Sequence, residues 1–180
     1  MNSEISSLKE QAFEAYQKKK FKDAARIFVE CIRLLEEDKD FVTAAEMRNN
    51  LSVVLLELKM PDEALATLKD TDLEFEKIGD KKRQAMALGN MASTLQALNK
   101  NTEALAFFES SSELFKEIHE TELRAITLQK IADLQLKTGK HYQALASLEA
   151  SYDQTDKKTI KERVMKGFLG DMIKKITRRN

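Results

Sequence analysis

The sequence runs to 180 residues, the length of one domain at about 100–200 residues per domain, and its 30 Lys and Arg balance 30 Asp and Glu, so no whole-chain charge draws it to a polyanion or a membrane surface. Its one cysteine, Cys31, cannot form an internal disulfide, no Cys/His spacing suits a zinc framework, and five Gly with one Pro are too few for a turn-rich β protein. No apolar stretch approaches the roughly 18–20 residues of a membrane span, and the opening MNSEISSLKEQ has no signal-peptide core, so a reducing, cytoplasmic setting is expected.

In chain order the sequence falls into four blocks, 1–40, 41–80, 81–120 and 121–160, which align without insertion and leave a remainder of 20 residues. The first block predicts a helix hairpin with small residues Ala12 and Ala24 where the helices cross, Phe28 beyond them, and the small Cys31 after that. The second repeats these columns as Ser52, Ala64, Leu68 and Thr71, with Pro61 placed for the first turn of its second helix. In the third, Ala85, Leu88, Met91, Ala92, Leu95 and Leu98 recur at helical spacing. After the polar break Asn99-Lys100-Asn101-Thr102, whose Thr102 is expected to cap, Ala104, Leu105, Phe108, Leu114, Phe115 and Ile118 recur in the same way. The fourth supplies Ala132, Ala144, Leu148 and Ser151 in the same columns. Short side chains at columns 12 and 24 let two helix axes approach to roughly 8–10 Å. A single hairpin cannot bury both faces, so the hairpins must stack.

The columns Leu88, Met91-Ala92, Leu95, Ala104 and Phe108, repeated as Leu128, Ile131-Ala132, Ala144 and Leu148, resemble the tetratricopeptide repeat family, and the stretch Glu76 to Leu95 matches it most closely. The period is 40 rather than the commoner 34, similar to a longer-helix variant, and the Pro that usually closes a repeat is absent. Column 8, where an aromatic is typical, carries Leu8, Arg48, Leu88 and Leu128. The resemblance implies an all-α, right-handed superhelical solenoid of four helix-turn-helix repeats in a single domain, 1–180, closed by a capping helix over 160–178.

In that architecture the first helices line a concave groove, and columns 6, 9, 10, 13, 16 and 17 are expected to face it. Apolar pockets are then assigned to Phe13, Tyr16, Val53, Leu56, Met86, Ile126 and Leu136, with Lys9, Asn49 and Lys130 beside them. Apolar side chains among amides suit an extended or amphipathic peptide better than a small charged metabolite. Asn50 and Asn90, one repeat apart, each offer two donors and an acceptor to a peptide backbone, and family members hold peptides with an asparagine ladder in this column. The competing role is local bracing of a neighbouring helix. A carboxylate clamp for a C-terminal tail is matched only at Lys9 and Asn50.

The last residues form an apolar stripe of Ile160, Val164, Phe168, Met172 and Ile176, and 161–180 hold seven Lys and Arg against two acids. The second block has nine acids against four basic residues. Capping of the array is the first expectation for the tail. A scaffold that self-assembles through the acidic block and the basic helix is an alternative, as is a membrane or nucleic-acid adaptor working through the tail. No catalytic residues, cofactor or metal are expected. His119 and His141 are separated by a whole helix, Cys31 lies in a packing column, and the glycines are scattered rather than gathered into a phosphate loop. The run Ser110-Ser111-Ser112 is a possible phosphorylation point, although Ser111 stands in the packing column. The expected partner is a protein or peptide, with homo-oligomerisation open.

Overall fold

The computed structural model describes residues 2–152, and among them every regular element is an α-helix. The helices are α1 (Asn2–Gln17), α2 (Phe21–Glu37), α3 (Phe41–Glu57), α4 (Pro61–Thr67), α5 (Thr71–Lys77), α6 (Lys81–Ala97), α7 (Asn101–Glu117), α8 (Thr121–Lys137) and α9 (His141–Tyr152). The capping helix expected over 160–178 lies outside the described residues. The chain divides into two compact units, Met1–Glu120 and Thr121–Asn180. The first holds three hairpins, α1/α2, α3 with α4 and α5, and α6/α7; the second holds α8/α9.

Each hairpin is built as the columns require. Ala12, Ser52, Ala92 and Ala132, and Ala24, Ala64, Ala104 and Ala144 opposite them, are fully buried. Phe28, Leu68, Phe108 and Leu148 are buried beyond them. In the first unit one core cluster runs from Ala12, Ala24 and Phe28 to Met47, Leu51 and Val54 of α3, so the second hairpin is seated on the first by apolar contact. Phe75 of α5 continues this between Ala45 of α3 and Ala87 of α6.

The turns share a second regularity, with a period of half a repeat. Lys19, Lys39, Lys59, Gly79, Asn99, His119 and Gly139 all have positive φ, between 57° and 79°. At the end of α1 the Lys19 N–H donates to the Tyr16 carbonyl and the Lys20 N–H to the Ala15 carbonyl, the Schellman pattern that occupies carbonyls a helix end leaves free. The same pair of bonds recurs after α2, α3, α5, α6, α7 and α8.

Three features depart from the sequence reading. The outer helix of the second hairpin is interrupted: α4 stops at Thr67, α5 starts at Thr71, and Asp70 between them is left-handed at φ 57°. Thr67 Oγ1 bonds back to the Glu63 carbonyl, and Thr67 and Asp70 place two short polar side chains of low helix preference in the turn where the helix breaks. Thr102 is no cap, since α7 begins at Asn101; among the described residues side-chain caps form at Asp40, accepting from the Thr43 N–H, and at Asp80, accepting from the Arg83 N–H. Finally, α1 turns a polar face outward. Ser7, Gln11, Glu14 and Lys18 are exposed in the columns where α3 buries Met47, Leu51 and Val54 and half-buries Leu58, and they bond to one another along the helix. Such a face can stand in contact with water.

Candidate inter-repeat groove

The inner helices of the first unit are α1, α3 and α6. Helical spacing separates the expected groove columns into two stripes. Columns 6, 10, 13 and 17 follow one another at four, three and four residues and form one face. Columns 9 and 16 belong to the adjacent stripe 5, 9, 12, 16, whose other members are buried, Ile5, Ala45, Ala85 and Ala125 at column 5 and the crossing positions at column 12. Asn49, expected on the groove surface, is accordingly only 5% exposed, while Lys9, Tyr16 and Leu56 are half-buried. Column 9 faces column 31 of the outer helix. A Cβ on Gly89 would meet Ser111 Oγ at 3.4 Å, Gln129 Nε2 donates to Ser151 Oγ at 3.3 Å, and the Lys9 charge is felt by Cys31. Burial pushes the Cys31 thiol up, so it is a packed structural thiol as its column predicts.

The remaining stripe is the accessible one. Phe13 is 39% exposed and rests edge-on against Phe28, with ring centroids 5.6 Å apart; Tyr16 lies tilted on Phe21 at 5.8 Å. Met86 is 40% exposed, and Val53, Asn50 and Asn90 are half-buried. Leu56, Glu57, Lys59, Pro61, Ser93 and Ala97 line a depression of about 420 Å³, four of them from columns 13, 16 and 17 of α3 and α6. On α8, in the second unit, Ile126 is 52% exposed, Lys130 is exposed, and Leu136 packs on the Ala132–Ala144 cluster.

Asn50 and Asn90 behave differently. Asn90 Nδ2 donates to Asn49 Oδ1 at 2.9 Å, a bond that braces α6 on α3 and that the sequence columns gave no reason to single out. Asn90 keeps its second Nδ2–H and its side-chain Oδ1 free of partners among the described residues, and the Asn50 side-chain amide makes no hydrogen bond there. A second inter-repeat tie is Arg83, which lies over the Phe75 ring at 5.1 Å and reaches Glu46 at 3.3 Å and Asp80 at 2.7 Å. Arg48, the odd residue of column 8, turns its guanidinium to Glu36 of α2 at 2.7 Å.

A wider depression, about 560 Å³, opens at the turn end of the first unit between Ile78, Lys82 and Ile118, bridged by the Lys82–Glu120 pair at 2.5 Å. Of the serine run, Ser110 is exposed, while Ser111 and Ser112 are buried. Ser111 Oγ donates to the Ala85 carbonyl at 2.7 Å, and Ser151 Oγ to the Ala125 carbonyl at 3.1 Å, tying outer to inner helix within each hairpin. Among the described residues no three His, Cys, Asp or Glu gather as metal ligands.

Residues 83–157 match the family described as tetratricopeptide repeat. No curated protein matches the sequence. Among solved structures, the chain is similar to BtubC (BKLC) from P. vanneervenii, with a TM-score of 0.77 and 14% identity over 83% of this chain and 62% of that one, so it spans less than two thirds of that protein. It is similar to the MamA RS-1 ArsTM double mutant, with a TM-score of 0.64 and 12% identity over 86% and 76% of the two chains. A Podosopora anserina protein assigned to the kinesin light chains, with nearly identical TPR-like repeats, matches with a TM-score of 0.56 and 14% identity over 97% and 98%. At these identities the likeness is one of fold.

Proposed function

On the premise that this is a chain of tetratricopeptide-like repeats, we propose that it is a protein–protein interaction module that takes a peptide segment of its partner on the face formed by columns 6, 10, 13 and 17 of α1, α3 and α6. One observation carries the reading. On that face exposed apolar side chains, Phe13 and Met86, flank amides with hydrogen-bonding capacity left over, Asn50 and Asn90, and it borders a depression of about 420 Å³. An extended backbone needs both donors and acceptors, its side chains need apolar pockets, and this surface offers the two together. Fold alone does not fix function, so the proposal rests on this surface.

The two amides ask for different variants. Replacing Asn90 also strands the buried Asn49 carbonyl oxygen, at a cost of about 1–3 kcal/mol, whereas Asn50 bonds to nothing that would be stranded. The test is selection of peptides from a displayed random library on the full chain, followed by titration against wild type and Asn50→Ala. The expected result is a roughly three- to tenfold loss of affinity in Asn50→Ala with an unchanged helical melt. Equal affinity for both chains would remove the groove from the account. Binding retained by a peptide of residues 160–178 alone would move it to the basic tail.

A further inference from the structure

We propose that the outer helix of the second hairpin is a two-state element, broken at 68–70 or continuous in the manner of α2 and α7, with Asp70 and Thr71 setting the balance. The broken form carries two local penalties. Asp70, which unlike glycine carries a Cβ, sits left-handed at φ 57° and ψ 9° and makes no capping bond with its side chain. Thr71 Oγ1 is buried without a hydrogen-bond partner. In the same column, Ser111 and Ser151 donate to the carbonyls of Ala85 and Ala125. At the same separation of 26 residues, the matching acceptor for Thr71 is the Ala45 carbonyl of α3 in the same hairpin, and a continuous helix would bring the hydroxyl to it.

Passage between the forms needs no change of register. Leu68, Thr71 and Phe75 are fully buried across the break, as Phe108, Ser111 and Phe115 are along the unbroken α7. At the break the Lys69 and Thr71 N–H groups use three-residue bonds, to Ala66 at 3.3 Å and Leu68 at 3.1 Å, which a continuous helix would exchange for the ordinary four-residue ones. Each form therefore keeps the same core and differs in one turn.

Hydrogen exchange followed by mass spectrometry on the full chain tests the proposal. In wild type, amides of 66–74 should exchange at least about tenfold faster than those of 26–34 and 106–114, the corresponding turns of α2 and α7. Asp70→Ala, which disfavours the left-handed turn, should slow 66–74 about tenfold, and adding Thr71→Val should reverse much of the slowing. Asp70→Gly should speed exchange there several-fold and serves if the alanine variant does not fold. Protection of 66–74 equal to the other two helices in wild type would overturn the proposal in favour of a single continuous helix. Fast exchange unaltered by both Asp70 variants would overturn it in favour of a fixed break.

Discussion

The left-handed residues at the helix ends allow a clean energetic test, because two of the seven are glycines with nothing near them. A Cβ built on Gly79, at φ 71°, meets no atom within 4 Å, so Gly79→Ala alters backbone energy and the unfolded chain but no contact. The left-handed conformation costs an L residue about 1–2 kcal/mol, and the entropy that alanine removes from the unfolded chain returns about 0.4–1 kcal/mol. The net expectation is a loss of about 0.5–1 kcal/mol. The reverse change, Lys39→Gly at φ 63°, removes an exposed lysine that makes no ion pair among the described residues and should gain about the same. Urea unfolding followed by far-ultraviolet circular dichroism suits a chain without tryptophan, and each kcal/mol should also move the thermal midpoint by about 2–4 °C. A neutral Gly79→Ala, or a destabilised Lys39→Gly, would refute the claim that positive φ sets the energy of these turns.

Two further outcomes follow from particular side chains. Asp80 is held below its ordinary 3.8 chiefly by the Arg83 backbone N–H and then by its guanidinium, against the opposing effect of burial. Its contribution is therefore complete above the unfolded value and is lost as pH falls through the lower folded one, so Asp80→Ala should cost about 1 kcal/mol at neutral pH and progressively less in acid. Urea midpoints measured across that range check it, and a gap that stays constant into acid would contradict it. Arg48→Leu restores the aliphatic residue of the other three repeats. Because the Arg48–Glu36 pair is 22% and 45% exposed and Arg48 Nε is buried without a partner, the variant should be neutral or more stable by up to about 1 kcal/mol, and a loss greater than that in the same unfolding assay would show the ion pair to matter more than its exposure suggests.

The sequence by itself determined the repeat. Alanine at column 24 and small residues at column 12 recur because two helices can cross closely only over short side chains, and that constraint is local enough to be read as spacing. The same spacing fixed Pro61 at a helix start and Cys31 in a packed column. Tertiary structure decided what depended on distant partners. Column 9 could be told from the groove only once the outer helix stood against it, since Asn49 and Gln129 look like surface amides until column 31 and the next repeat are in place. The Asn90–Asn49 bond spans 41 residues, and nothing in either local sequence separates an amide that braces from one that is free to bind. The break before Thr71 was hidden for a related reason. Its buried columns keep the helical register of the neighbouring repeats, and only the backbone at Asp70, where short polar side chains compete with the helix, departs from it.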